Sequence, residues 1–281
     1  MTPAEHFAQR TWSTLGRAEQ FKVRFGEETL TDLLVLDMLP HGRTRGFWLG
    51  STTKPAEGQC GADLLVFLRH RTDRFFVLAL QAKKLYPDDR YRMLNRVSDS
   101  EGQLDKLVGF ARQFHALPLY LLYNHSNMVV RSDHWHCCQK RFDKHQLGCT
   151  LVPSWHIRRM LLCRPPPPRD FDSAHKVKQA KPWRCAFDCQ SAENELRRMA
   201  FPTPQHYSDT PSADNWIFER RVADAWPEWL FDKSTSQLTR EDLYRLLSDA
   251  GTAPEDSFES DESLYPARVL MIDRPRESAV S

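Results

Sequence analysis

Three polar residues, Asp63, Gln81 and Lys83, have the types and spacing that suit metal-assisted hydrolysis. Gln81 and Lys83 are two positions apart at the end of an apolar run, so on a strand their side chains share one face. Such polar side chains are costly to bury unless they are paired or used. A carboxylate and an amide oxygen suit Mg²⁺, which prefers hard oxygen ligands, and a lysine can help to activate an attacking water. The trio predicts hydrolysis of phosphodiester bonds.

Two apolar runs are expected to form the strands that bring this trio together. The run ADLLVFLRH predicts a strand that ends near residue 69, and FFVLALQAKKL predicts a second strand that begins at Phe75. If the two strands form a hairpin with a symmetric loop, Asp63 lies opposite Gln81 and Lys83 lies on the diagonal. Cross-strand neighbours are about 4.5–5.5 Å apart and diagonal neighbours about 7–8 Å. The hairpin therefore predicts one cluster.

A helix before these strands offers further carboxylates. In GEETLTDLLVLDML, apolar residues recur at Leu30, Leu34 and Met38, which indicates an amphipathic helix. Glu27 and Glu28 occupy its first turn, where negative charge suits the helix dipole. Glu27 continues the apolar stripe by one turn and is expected to face the sheet. Periodicity favours Glu27 but leaves the choice between the two glutamates open.

The order of the other elements predicts the α/β class, with helices covering a mixed sheet. A helix is predicted over 3–20, a short strand around Phe47, a helix over 98–115 and a buried strand at PLYLLYN. The second strand of the hairpin is almost entirely apolar, which is typical of a central strand covered on both faces.

The composition changes along the chain and suggests three parts. Four consecutive prolines, Pro165 to Pro168, predict a boundary. We expect a core over 1–164, an irregular accessory region over 165–250 and a flexible tail over 251–281. We predict that the tail is flexible because residues 241–281 carry 10 acidic against 4 basic residues.

The same residues resemble a known superfamily. Glu27 and Glu28 in a first helix, then Asp63, then the Gln81-Ala82-Lys83 run, resemble the restriction-endonuclease-like (PD-(D/E)xK) superfamily over roughly residues 20–125. The segments GEETLTD, CGAD, VLALQAKKL, QLDKL and PLYLLYN are similar to a bacterial family of unknown function assigned to that fold. The resemblance implies a restriction-endonuclease-like mixed sheet flanked by helices.

The resemblance also implies roles for the residues of the site. Asp63 and Gln81 would bind Mg²⁺ or Mn²⁺, Lys83 would activate the water, and one of Glu27 and Glu28 would complete the metal site. Gln81 stands where the superfamily usually has an acidic residue. Its carbonyl can still bind a cation, but the site lacks one negative charge.

The expected function is therefore a Mg²⁺-dependent nuclease whose partner is DNA, and the resemblance suggests a role in bacterial defence. Two alternatives stay open, namely a nuclease that cleaves RNA and an inactive nuclease fold that binds nucleic acid or a protein. Further substrate contacts are expected from Gln103, at the start of a helix, and from Arg158 and Arg159, in a locally basic stretch. Many enzymes of this fold are dimers, so a homodimer is a further option.

A second group of residues has metal-binding types. Zinc prefers sets of Cys and His, although no two C-x-x-C pairs occur here. The sequence leaves two readings open, a structural zinc site or buried thiols and histidines packed against aromatic residues. The group comprises His134, His136, Cys137, Cys138, Cys149, Cys163, Cys185 and Cys189.

Composition excludes several other classes of protein. The chain has 281 residues, 41% hydrophobic content and a formal net charge of +2, so any nucleic-acid surface must be local. It contains no apolar run of about 18 residues, which argues against a membrane span. Seven cysteines without a regular framework, and no signal-like start, predict a cytoplasmic protein with reduced thiols.

Overall fold

The computed structural model describes most of the first 189 residues and a few later positions. Among these residues no helix combines the length and the apolar character that crossing a bilayer requires. The described residues are 1–42, 49–51, 60–71, 74–92, 94, 97–98, 101–113, 116–138, 141–163, 165, 167–189, 196, 199, 220–221 and 270–272.

Two helices open the fold. Helix α1 (Pro3–Gln20) begins at Thr2, whose hydroxyl accepts a hydrogen bond from the Glu5 amide while the Glu5 carboxylate accepts one from the Thr2 amide. This capping box satisfies amides that a helix start leaves unpaired. Helix α2 (Glu27–Gly42) carries both candidate glutamates in its first turn, and Leu30, Leu34 and Met38 are buried as the stripe predicts.

A mixed sheet forms the centre of the molecule. Its main strands are β1 (Leu49–Ser51), β2 (Leu64–Arg71), β3 (Arg74–Lys84), β6 (Leu117–Tyr123) and β7 (Cys149–Pro153). They lie in the order β1-β2-β3-β6-β7, with β3 and β6 parallel and the other neighbours antiparallel. The predicted α/β class and the central position of β3 are thereby confirmed.

Shorter elements complete the described chain. Strands β4 (Val97–Ser98) and β5 (Glu101–Gly102) form a separate ribbon, and β8 (Lys181–Pro182) extends the sheet beyond β7. Strands β9 (Arg220–Arg221) and β10 (Leu270–Ile272) pair with β3 and β2. The remaining helices are α3 (Gln103–Gln113), α4 (Ser154–Leu162) and α5 (Phe171–His175), and 3-10 turns cover Ser132–His134, Lys144–Gly148 and Trp183–Ala186.

The two faces of the sheet bury different helices because strand side chains alternate. Leu64, Leu78 and Leu80 pack in one core cluster with residues of α1 and α2. Ala79 and Tyr120 pack in the other cluster with residues of α3, α4 and α5. Gln81 and Lys83 follow Ala79 at two-residue intervals towards the end of β3, where Lys83 also reaches Glu27 of α2.

The predicted hairpin register is confirmed at the end that carries the site. Leu64 pairs with Leu80 and Leu65 with Ala79, and the Asp63 amide donates to the Leu80 carbonyl over 2.8 Å. This continues the pairing that places Asp63 opposite Gln81. The register shifts only near the hairpin loop, between Arg69 and Arg71.

Several sequence predictions need adjustment or fall outside the described residues. Helix α3 begins at Gln103 rather than at residue 98 because Val97–Ser98 and Glu101–Gly102 form the β4–β5 ribbon, and the predicted helix end at 114–115 lies outside the described residues. Phe47, proposed as the centre of a short strand, lies outside the described residues. The predicted boundary at 164 falls between α4 and α5, and both helices contribute to one core cluster. Of the predicted tail, only Leu270–Ile272 is described.

Candidate functional site

Asp63 and Gln81 are in direct contact at the end of the β2–β3 hairpin. The Gln81 side-chain nitrogen Nε2 donates to Oδ2 of Asp63, and the Ala82 amide donates to the same oxygen over 2.6 Å. A backbone amide and a side-chain amide therefore fix the carboxylate against β3. This contact is the one that the hairpin predicts.

Lys83 is buried and faces Glu27. Only 6% of Lys83 is exposed, and its Nζ lies 3.7 Å from Oε2 of Glu27. The other carboxylate oxygen of Glu27 accepts a hydrogen bond of 3.0 Å from the Lys84 amide. Because an ammonium group out of water needs a partner, Glu27 supplies both the compensating charge and the position of Lys83. We call Asp63, Gln81, Lys83 and Glu27 the strand-end site.

Contacts between α2 and β6 hold Glu27 in this position. The Thr31 hydroxyl donates to the Glu27 carbonyl over 3.1 Å and lies 3.0 Å from the hydroxyl of Tyr123, the last residue of β6. Tyr123 pairs with Lys84 in the parallel β3–β6 ladder. The first turn of α2 is thus tied to the strand ends that carry the site.

Gly61 brings the start of α3 against the strand that carries Asp63. Its φ is +68°, a conformation that disfavours other residues. A Cβ at this position would lie 2.4 Å from the Gln103 carbonyl oxygen and 2.7 Å from the Leu107 amide nitrogen. Gln103, in the first turn of α3, therefore lies beside the chain two residues before Asp63. The sequence analysis did not assign this role to Gly61, although a glycine just before the carboxylate was a usable signal.

One oxygen of the site is buried without a hydrogen-bond partner in the described structure. Gln81 is 1% exposed, and its Oε1 accepts no hydrogen bond there. Its Nε2, by contrast, has acceptors in Asp63 and in the Ala82 carbonyl. Leaving a buried acceptor unpaired costs about 1–3 kcal/mol. A cation bound to Oε1 of Gln81 would therefore supply the interaction that this buried oxygen lacks in the described structure.

Groups of both charges surround the site. Two carboxylates, Asp63 and Glu27, accompany two ammonium groups, Lys83 and Lys84. Burial lowers the pKa of Lys84, and the negative charge of Glu27 partly offsets that effect. Lys84 also lies 4.7 Å from the centre of the Tyr86 ring. Sequence patterns did not point to Lys84. Because side chains alternate along β3, Lys84 lies on the opposite face of the strand from Lys83.

Tyr120 is a second residue that the sequence analysis missed. It pairs with Gln81 across the parallel ladder, and its hydroxyl donates to the Leu94 carbonyl over 2.8 Å. Burial, followed by the negative charge of Asp63, raises the pKa of Tyr120. The raised pKa keeps Tyr120 a neutral phenol. In the neighbouring strand it lies beside Gln81 of the site.

The other predicted site residues lie at different distances from this cluster. Glu28 is exposed on α2, whereas Glu27 is half-buried and contacts Lys83. Gln103 is half-buried beside Gly61. Arg158 on α4 forms an ion pair of 2.5 Å with Asp105 on α3, and Arg159 is exposed. The structure thus brings Glu27 and Gln103 towards the predicted trio and gives Arg158 a partner on a neighbouring helix.

The Cys/His group divides into two sets. Cys137, Cys185 and Cys189 bring their sulfur atoms within 4.8 Å of one another. The histidines instead bond to other groups, since Nε2 of His134 lies 2.9 Å from Asp172 and Nε2 of His136 lies 3.0 Å from the His175 carbonyl. Within the described part of the chain, the group of metal-ligating atoms that lie close together contains these three cysteines and neither histidine.

The chain matches the model described as "Family of unknown function (DUF6615)" over residues 2–278, and it belongs to that family. No curated protein and no solved structure matches the chain. The activity and the superfamily implied by the sequence resemblance stay predictions.

Proposed function

We propose that this member of the DUF6615 family is a divalent-metal-dependent nuclease with a restriction-endonuclease-like core that hydrolyses phosphodiester bonds of DNA. The observation that carries the proposal is the meeting of Asp63, Gln81 and Lys83 at one end of a buried hairpin. Glu27 joins them from another element. A carboxylate, an amide oxygen and a buried ammonium group form a set that suits metal-assisted attack on a phosphate.

Asp63 and Gln81 are the proposed ligands of Mg²⁺ or Mn²⁺. The donor set fits the ion, because the buried Oε1 of Gln81 has no hydrogen-bond partner in the described structure. Bound there, the ion would lower the pKa of a coordinated water and offset charge on the phosphate. The Gln81 amide can offer its nitrogen to Asp63 when no ion is present or its oxygen to a cation.

Lys83 is the proposed catalytic cation. Its burial and its 3.7 Å separation from Glu27 Oε2 limit the positions that its ammonium group can occupy. A fixed ammonium can hold the attacking water or stabilise the negative charge that develops on the phosphate. Glu27 is a positioning residue in this proposal, since both of its carboxylate oxygens have partners on β3.

The non-enzymatic alternative has its own supporting observation. Oδ2 of Asp63 already accepts hydrogen bonds from Gln81 and from the Ala82 amide. A carboxylate satisfied in this way can serve the fold without an ion. An inactive nuclease fold that binds nucleic acid is therefore the second candidate.

A cleavage assay on the full chain distinguishes these functions. Labelled double-stranded DNA, single-stranded DNA and RNA are incubated with the protein and Mg²⁺ or Mn²⁺, and Asp63→Asn protein purified in the same way controls for contaminating nucleases. The proposal predicts metal-dependent cleavage of DNA by the parent only. Cleavage of RNA alone supports the RNA nuclease, and tight binding without cleavage under any of these conditions supports the inactive module.

A further inference from the structure

Three thiols from two distant segments meet away from the strand-end site. Cys185 Sγ lies 3.2 Å from Cys137 Sγ, and Cys137 Sγ lies 3.9 Å from Cys189 Sγ. Cys185 and Cys189 are buried, with 1% and 5% of their surface exposed. We call these three residues the thiol cluster.

A buried positive charge accompanies these thiols. Arg184 is 4% exposed, and its Nη1 lies 3.9 Å from Cys137 Sγ. Its Nε lies 3.1 Å from a carboxylate oxygen of Glu5 on α1. A guanidinium in this position would compensate part of the negative charge that thiolates bring to a metal site.

We infer that the thiol cluster is a structural zinc site in which Cys137, Cys185 and Cys189 supply three thiolate ligands. Zn–S bonds of about 2.3 Å in a tetrahedron place the sulfur atoms about 3.8 Å apart. The observed separations of 3.2 and 3.9 Å lie on either side of that value. Cys138 follows Cys137 directly, and its exposed thiol lies outside the set of sulfur atoms within 4.8 Å of one another, so it would have to turn inward to serve as a fourth ligand.

Other chemistry fits these sulfur atoms less well. A disulfide needs a bond of about 2.05 Å and joins two sulfurs, whereas Cys185 Sγ and Cys137 Sγ are 3.2 Å apart and a third thiol lies beside them. Mg²⁺ prefers oxygen ligands, and sulfur ligands select softer ions. The mutual distances also fit one ion rather than an iron–sulfur cluster, whose cysteines bind different iron atoms.

The zinc would join two distant segments of the fold. Cys137 and Cys138 lie in the segment after β6, and Cys185 belongs to the Trp183–Ala186 turn. That region also contacts the start of α1, because the Thr2 hydroxyl donates to the Asp188 carboxylate over 2.5 Å. The segments that carry the thiols contain little regular structure. A bound metal would therefore supply stability that strand pairing supplies elsewhere in the fold.

Metal content and stability of the full chain test the inference. The protein is purified under reducing conditions, and zinc is measured together with the thermal midpoint before and after chelation. Cys185→Ser is compared with Cys163→Ser, which changes a cysteine outside the thiol cluster. We expect about one zinc per chain in the parent and in Cys163→Ser, loss of zinc in Cys185→Ser, and a lower thermal midpoint after chelation.

A measurement on the unmodified chain keeps the inference testable if Cys185→Ser does not fold. Co²⁺ added to metal-free parent should give the visible absorption bands of a tetrahedral cobalt–thiolate site, and Zn²⁺ should abolish them. Absence of these bands in folded, reduced protein would overturn the inference. A Cys137–Cys185 disulfide in freshly purified protein, or equal zinc in a folded Cys185→Ser variant, would do the same.

Discussion

The strand-end site and the thiol cluster both join residues that are distant in the chain, but only the first is assembled by regular secondary structure. Asp63 and Gln81 meet because β2 and β3 pair in an antiparallel register. Cys137 and Cys185 are 48 positions apart and meet through loops and 3-10 turns. A hairpin site can therefore be predicted from strand periodicity, whereas a site between irregular segments requires the tertiary fold.

The two regions also differ in the ions that they suit. The strand-end site offers oxygen atoms beside ammonium groups, and the thiol cluster offers sulfur beside a guanidinium. Hard and soft ligands select different metals. The comparison therefore predicts that changes in one region leave the ion of the other in place.

The largest expected effect follows removal of the Lys83 ammonium. Lys83→Ala should lower the cleavage rate by about 10²–10⁴-fold, the usual contribution of a group that acts on the reacting water. Binding of DNA and metal should weaken only modestly. Single-turnover rates and DNA affinities, measured at several salt concentrations, separate chemistry from a lost phosphate contact. A variant that cuts at the parental rate when saturated with DNA would contradict the catalytic assignment.

A matched pair of variants in one helical turn gives a smaller effect. Glu27→Gln removes the charge that faces Lys83 and should reduce cleavage by about 10–100-fold, as is typical of residues that support a metal site. Glu28→Gln makes the same chemical change on the exposed side of α2 and should leave the rate near that of the parent. Equal losses of cleavage rate in Glu27→Gln and Glu28→Gln would contradict the assignment of Glu27 as the residue that positions Lys83.

Acid should lower the free energy of unfolding through His175. Burial lowers the pKa of His175 from 6.5 to about 3, so the unfolded chain binds more protons in that interval. Stability is present above pH 6.5 and falls towards pH 3, by up to about 1.4 kcal/mol per pH unit. The charged or titratable neighbours of His175 are His134, His136 and His156.

Urea unfolding between pH 7 and pH 4 checks this pH dependence. Nδ1 of His175 donates to the Phe171 carbonyl over 2.8 Å and Nε2 lies 3.1 Å from the Thr150 hydroxyl, contacts that suit a neutral ring. His175→Gln cannot gain a proton and should show a shallower loss of stability in acid. If the free energy of unfolding falls with pH at the same slope in the parent and in His175→Gln, other groups are responsible for the acid sensitivity.

The smallest expected effect concerns the strength of metal binding. Gln81→Glu places a second carboxylate beside Asp63 and should tighten Mg²⁺ binding several-fold, because opposite charges attract more strongly at a partly buried site. The added charge also repels phosphate, so the cleavage rate is not expected to follow affinity. Titration calorimetry with Mg²⁺ measures the change. Unchanged or weaker Mg²⁺ binding would argue that Gln81 is not a ligand.

Much of the strand-end site was predictable because its parts are local. The two-residue spacing of Gln81 and Lys83 fixed their common face, and the hairpin placed Asp63 opposite Gln81. Glu27 followed from helix periodicity, although only the contact with Lys83 separates it from Glu28. The hydrogen bond that turns the Gln81 nitrogen towards Asp63 could not be predicted, because amide orientation depends on all neighbouring donors and acceptors.

The thiol cluster and the partners of the basic residues were beyond sequence patterns. Residue type alone grouped the cysteines with His134 and His136, and the fold then separated them by giving each histidine another partner. The ion pair between Arg158 and Asp105 depends on the α3–α4 contact, and a substrate contact of Arg158 stays a prediction. Both outcomes depend on how helices and turns pack over the sheet, which periodicity within one element does not specify.

Binding of Mn²⁺ to the parent and to Asp63→Asn protein tests the central claim most directly. Both proteins are loaded with zinc first, so that thiols do not compete, and circular dichroism confirms that both are folded. We expect the parent to bind Mn²⁺ by calorimetry and Asp63→Asn to lose this binding together with cleavage. Equal Mn²⁺ affinity in the two folded proteins would contradict a metal-dependent site at Asp63.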